Sequence, residues 1–317
     1  MGTTASFFKK REAKSLYRNV RSSQLQLVVL RYPGVCLYCD MFVNTYRQRY
    51  ISFVRIYGSI FNIRGLFAIS LLIVLTFNSS KAQNKLLIAA ASDLKFTLDS
   101  VIQVFSKTNN GKIDVTYGSS GKLTEQITNG APFDIFFSAD ILYPERLKEQ
   151  KKTSSEIYHY ATGRLVIWSK KIDPRKDEMK SLLDPAVKKV AIANPLHAPY
   201  GKRAVESLKF YKLHESLNRK LVYGENISQT AQFVSTGAAD IGIIALSIAL
   251  SPNMKKENGK YFLVPEDSHQ PLIQGAVITL HGRENKLAAT FLEFIKSDET
   301  AKILSHFGFS NPKSSYK

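Results

Sequence analysis

Four short stretches of this sequence put small polar residues or a Pro-Tyr-Gly turn where an apolar, strand-like run gives way to a segment of helical period. They are Ser92 in AAASDL, Ser119 and Ser120 in YGSSGKL, Pro199 to Gly201 in HAPYGKRA, and Asn226 with Ile227 in GENISQTA. The first N–H groups of a helix lack intrahelical acceptors and the helix dipole adds partial positive charge. Such a junction can therefore hold an anion without a basic side chain. Taken singly, Ser92, Ser120 and Asn226 read as N-caps, the usual role of these residue types. Four such junctions in one chain, at the carboxyl ends of strands where α/β folds place their ligands, point to a shared site.

Other chemistries fit these residues less well. A phosphate-cradling loop needs two glycines separated by four residues and then Lys-Ser/Thr, whereas Gly118 and Gly121 are three apart and Lys122 precedes Leu123. Gly-Ser-Ser-Gly is not the Gly-x-Ser-x-Gly turn of a hydrolase nucleophile, and no histidine carries a motif that marks it as a base. A hydrolase using Ser119 or Ser120 is kept as an alternative, to be favoured by a His or carboxylate within hydrogen-bond reach of either serine. No paired-histidine spacing suggests a metal centre; His197 and His269 stand singly in Pro-containing loops. Lys122, Lys202 and Arg203 suit either the steering of an anion or a solvated helix start. Gly118 and Gly121 are expected to let their turn approach a bound anion.

The elements that must position these residues alternate. LLIAAA (86–91) feeds a helix with Leu94, Leu98, Val101, Ile102 and Phe105 on one face, and KIDVTYG feeds KLTEQITNG, a helix ended by Gly130. FDIFFSAD, GRLVIWSKK, KVAIANP with YGKRAVESLKFY, KLVYG with SQTAQFVSTG, and DIGIIALS continue the pattern. One more strand, GAVITL (275–280), precedes two closing helices. The alternation predicts parallel sheets covered by helices, in two lobes joined by strand crossovers.

The chain has 317 residues, 44% of them apolar, and a formal charge of +18. Residues 1–82 hold 12 Lys+Arg against 2 Asp+Glu; the remaining 32 basic and 24 acidic residues are scattered, which argues against nucleic-acid binding. A short apolar run, Leu66 to Phe77, follows a basic stretch and ends in Ser80-x-Ala82. It is too short to span a bilayer comfortably, so residues 61–82 are read as an export signal, with an uncleaved anchor as the alternative. Residues 1–60 are read as an N-terminal extension upstream of the true start, with a long cytoplasmic n-region or a basic membrane-surface segment as the alternatives. Both cysteines, Cys36 and Cys39, fall there, so the exported part has no thiol nucleophile and no lipid-attachment cysteine.

AAASDL, SSGKLTEQITNGAPFDIFFSAD, NPLHAPYGKRAVESL, LVYGENISQTAQFV, ADIGIIALS and VPEDSHQPL together resemble the molybdate-binding proteins of ABC transporters. The likeness runs from about Lys85 to Ser310. It implies an α/β, two-lobed periplasmic-binding-protein-like fold with a ligand cleft between the lobes, lobe 1 being 84–163 with 271–317 and lobe 2 being 164–270. It further implies that Ser92 and Ser120 donate hydroxyl and backbone N–H groups to an oxyanion, and that Tyr200 and Ile227 donate backbone N–H groups. Asp93, Ser119 and Asn226 lie beside these, the Asp93 carboxylate being expected to point away from the oxyanion, and Ala245 stands where some relatives carry a ligating tyrosine; the Tyr200 phenol offers a substitute. The implied protein is a monomeric, non-enzymatic periplasmic receptor for molybdate or tungstate, without cofactor or direct metal ligand, serving a membrane permease. Sulfate is the alternative ligand. A ring of donors rejects protonated anions, so hydrogen phosphate is disfavoured, and sulfate is left to be excluded by cavity size.

Overall fold

The computed structural model describes residues 85–312, all within one unit, Ser80–Lys317. The expected extension (1–60) and export signal (61–82) lie outside the described residues. The chain opens with β1 (Lys85–Ala91), a 3-10 turn (Ser92–Leu94), α1 (Lys95–Phe105), β2 (Lys112–Gly118), α2 (Ser120–Thr128), β3 (Ile135–Ser138), α3 (Leu142–Glu149) and β4 (Tyr158–Gly163). It crosses to a second sheet through β5 (Leu165–Ser169), α4 (Pro174–Asp177), β6 (Val190–Ala193), α5 (Pro199–Phe210), α6 (His214–Leu217), β7 (Leu221–Gly224), α7 (Ile227–Ser235), β8 (Ile241–Ala245), α8 (Leu246–Ala249), α9 (Pro252–Lys256) and β9 (Lys260–Leu263). It returns with β10 (Leu272–Ile278), α10 (Lys286–Ile295) and α11 (Asp298–His306).

Each lobe holds one five-stranded sheet, in the orders β2-β1-β3-β10-β4 and β7-β6-β8-β5-β9. The expectation of parallel sheets needs correction, because both are mixed. β1 pairs in parallel with β2 and β3, and β6 with β7 and β8, but β10 runs antiparallel to β3 and β4, and β5 antiparallel to β8 and β9. Antiparallel members cluster where the chain passes between lobes, since β4 leads into β5 through Arg164 and β10 brings the chain back. Apolar periodicity reports which face is buried and carries no strand direction. The strands β1, β2, β6 and β7 that precede the four polar junctions do run in parallel pairs within their own sheets.

Continuous apolar runs mark strands buried on both faces: β8 and β5 are buried throughout, and β1 is buried from Ile88 on. Edge strand β2 is only partly buried. In the first lobe Phe105, Phe137 and Phe291 meet edge to face, with ring centroids 4.9 Å apart for Phe105–Phe291 and 6.3 Å for Phe137–Phe291. In the second, Trp168 is 1% exposed and packs so closely on Gly259 that a Cβ there would fall 2.0 Å from its ring. Burying such side chains contributes about 1.5–3 kcal/mol each and anchors the sheets that carry the site.

Candidate functional site

The four junctions converge. Ser92 and Asp93 follow β1, Ser119 and Ser120 follow β2, Tyr200 stands in the first turn of α5, and Ile227 opens α7; all of them line one cavity between the sheets. Ala139, beyond β3, completes the first-lobe wall, a residue the sequence reading did not single out. The cavity measures about 10 Å3 as swept by the centre of a water-sized sphere, room for about one such sphere. Two expected residues do not line it. Asn226 is the N-cap of α7, its Oδ1 accepting from the Gln229 N–H at 3.0 Å, and Ala245 ends β8, paired with Leu165 of β5.

Ser120 is fully buried and is the first residue of α2, whose N-cap is Ser119. Its Oγ accepts from the Ala139 N–H at 3.0 Å, which leaves the hydroxyl hydrogen free to donate. Tyr200 and Ile227 lie at the second and first positions of their helices, where N–H groups have no acceptor one turn back. Ser92 Oγ donates to Asn226 Oδ1 at 3.2 Å, and the Ser228 hydroxyl donates to the Ser92 carbonyl at 2.8 Å. The Tyr200 phenol accepts from Gln274 Nε2 at 3.2 Å. It belongs to a buried hinge cluster with Asp93 and is not held apart for a ligand.

Direct bonds close the two lobes on each other. The Gly121 N–H donates to the His197 carbonyl at 2.9 Å, His197 Nδ1 meets Ser119 Oγ at 3.0 Å, and Lys122 pairs with Glu225 at 2.6 Å. A Cβ on Gly121 would lie 2.8 Å from the His197 carbonyl oxygen. Its glycine therefore serves lobe closure rather than approach to an anion, whereas Gly118, the last residue of β2, does line the cavity, and a Cβ there would meet Leu123 of α2 at 3.3 Å. Arg203, offered by the sequence as an anion-steering or solvated residue, is neither: it is 5% exposed and bonds Asp140 of the first lobe at 2.8 Å and Glu206 at 2.9 Å. Burial pushes the Asp140 carboxyl upward, opposed by the Leu142 N–H and by Arg203.

A family description of bacterial extracellular solute-binding proteins matches residues 86–310. The chain belongs to this family. This solute-binding protein is 33% identical over 244 residues to the molybdate-binding protein ModA of Rhodobacter capsulatus, covering 76% of this chain and 94% of that one. The periplasmic molybdate-binding protein of Azotobacter vinelandii superposes with a TM-score of 0.67 at 30% identity, over 72% of this chain and all of that one. The sulfate-binding protein SubI of Mycobacterium tuberculosis superposes at 0.60 over 73% of this chain and 88% of that one, but at 13% identity, and so shows the fold alone.

A larger cavity of this solute-binding protein, about 230 Å3, lies at the crossover and is lined by Thr162, Glu266, Asp267, His269 and Leu272 among others. Its lining carries two carboxylates, Asp267 and Glu266, the latter paired with Arg164 at 3.0 Å, and none of the four junction residues. Among the described residues no cluster of His, Cys, Asp or Glu is arranged to hold a metal ion, and no helix is long and apolar enough to cross a membrane.

Proposed function

We propose that this solute-binding protein captures molybdate, and tungstate with it, as a fully deprotonated oxyanion in the periplasm and delivers it to the permease of an ABC importer. It does so as a monomer, without cofactor and without catalysing a reaction. The observation that carries this reading is the convergence of Ser120, Tyr200 and Ile227, three helix-start residues from two lobes, with Ser92 on one cavity of about 10 Å3. Hydrogen bonds to a charged acceptor contribute about 1.5–3 kcal/mol each, so several converging donors offset the desolvation of a dianion. The relatives named for molybdate support the choice of ligand. Sulfate shares the charge and shape, which leaves cavity size to separate the two. Closure around the ligand would present the loaded form to the permease.

One observation favours a second reading. Ser119 Oγ, His197 Nδ1 and, beyond it, Glu225 at 3.7 Å from Nε2 form a serine–histidine–carboxylate line, which was the stated mark of a hydrolase. Two features weigh against it. The carboxylate is beyond hydrogen-bond range of the ring and is paired with Lys122 at 2.6 Å. The serine and histidine come from facing lobes, not from one rigid wall.

Thermal melts separate these readings. Molybdate or tungstate at a hundredfold excess over Kd should add about 2.7 kcal/mol, roughly 5–10 °C in Tm for a domain of this size, with hydrogen phosphate inert. A shift with sulfate alone would contradict the molybdate reading. Ser119-dependent turnover of an activated ester would favour the hydrolase.

A further inference from the structure

Among the described residues, Asp93 is the one carboxylate in the wall of this cavity. It follows Ser92 in the 3-10 turn, is 1% exposed, and lines the same cavity as Ser120, Tyr200 and Ile227. Its two oxygens differ. Oδ2 accepts from Gln274 Nε2 at 2.7 Å, whereas Oδ1 is buried without a protein partner. Gln274 Oε1 lies 2.7 Å from the Tyr160 hydroxyl, whose single hydrogen also has the Ser138 carbonyl as an acceptor at 3.1 Å. With Nε2 toward Asp93, the amide donates to Oδ2 and to the Tyr200 phenol oxygen at 3.2 Å. With Oδ2 fixed as an acceptor, a carboxyl proton has one place to sit, on Oδ1.

A dianion beside an ionised, buried Asp93 would meet a like charge. Among the described residues no cation acts on this carboxyl. The groups that hold or face this carboxyl are Gln274 of β10, Tyr200 of α5, Tyr160 of β4 and the backbone of its own turn, and Ser247, next to it, donates to its carbonyl at 2.8 Å. Both phenols are pushed well above their ordinary range, chiefly by burial, and stay neutral.

We propose that Asp93 is a specificity-determining residue of the anion site: one proton from solvent is taken up on Oδ1 as a fully deprotonated oxyanion binds, and the resulting O–H donates to that oxyanion. This rests on the anion-binding reading above and adds the proton to it. The uptake balances simply, a carboxylate and a solvent proton giving a neutral acid, with no covalent change in the anion. Burial, opposed by the hydrogen bonds of Gln274 and Tyr200, has already raised the carboxyl from 3.8 to about 6. A neighbouring dianion raises it further, because like charges disfavour ionisation. The sign follows. Affinity is complete below pH 6, where Asp93 is already protonated, and falls as pH rises above 6, where binding must draw a proton from solution.

The test is calorimetric titration of the full chain with sodium molybdate, in buffers of different ionisation enthalpy, from pH 6 to pH 8.5. Molybdate itself remains deprotonated across this range. Wild-type protein should take up about one proton per anion at pH 8 and lose affinity by about tenfold per pH unit above pH 6. Asp93→Asn, which keeps the shape and presents an amide donor, should take up none and bind with pH-independent affinity. If wild-type protein binds molybdate with no proton uptake and a flat pH profile, the proposal is overturned while the anion reading stands. If neither protein gives heat with molybdate at any pH, the anion reading itself fails and takes the proposal with it. Wild-type data alone decide the matter should the variant not fold.

Discussion

Arg203→Ala is expected to cost about 3–5 kcal/mol of stability at pH 8, the penalty for leaving a buried charge without its partner. The Arg203 and Asp140 side chains are 6% and 5% exposed, so water screens the pair little, and their contact at 2.8 Å joins α5 of one lobe to the end of β3 in the other. With the guanidinium gone, Asp140 keeps the Leu142 N–H as a hydrogen-bond donor but loses the charge that pairs with it among the described residues. Its carboxyl already lies above the usual value through burial, and losing Arg203 pushes it further. A group whose folded pKa is raised contributes stability that is complete below the unfolded pKa of about 3.8 and is lost as pH rises through the folded value. The deficit of the variant should therefore shrink as pH falls from 8 toward 5. Urea melts at both pH values measure it. A loss under about 1 kcal/mol, or one independent of pH, would show that the pair is not buried in the way described.

Ser120→Ala should weaken molybdate binding roughly 10- to 150-fold, the equivalent of one charge-assisted hydrogen bond at about 1.5–3 kcal/mol. The same change leaves the Ala139 N–H without its acceptor, since Ser120 Oγ receives it at 3.0 Å. Because a buried unpaired N–H costs about 1–3 kcal/mol, the melting temperature should fall as well. Affinity and stability must therefore be read separately, by calorimetry well below the variant's Tm. A folded variant with unchanged affinity would remove Ser120 from the anion's donors. Helix-start N–H groups would still act there, so the effect of any one side chain is bounded.

The junctions were legible in the sequence because each is local: a strand end, a small polar residue and a helix start lie within a few positions. Ser92, Ser120, Tyr200 and Ile227 needed only the fold to bring them together. Residues that join distant parts were not legible. Gln274 reaches Asp93 across 181 positions, and the sequence reading began that strand three residues too late, at Gly275 instead of Leu272. Glu225 was passed over although it clasps Lys122, and Arg203 looked like a solvated helix-start cation. Helix α3 and the strands β4 and β9 were missed because they lack strong periodicity. β4 carries Tyr, His and Thr with a terminal Gly, and β9 is an exposed edge strand. Gly121 was read as room for an anion, and it is room for His197.

The central claim, that two lobes close donors around a deprotonated tetrahedral oxyanion, is tested most directly by calorimetric titration of the purified protein at pH 6.5 with molybdate, sulfate and phosphate in turn. About four charge-assisted donors predict one molybdate per chain with a Kd of about a micromolar or below, and much weaker binding of the other two. Saturation by sulfate or by hydrogen phosphate, with no response to molybdate, would contradict it. A phosphate response would further mean that ionised Asp93 serves as an acceptor for a protonated anion.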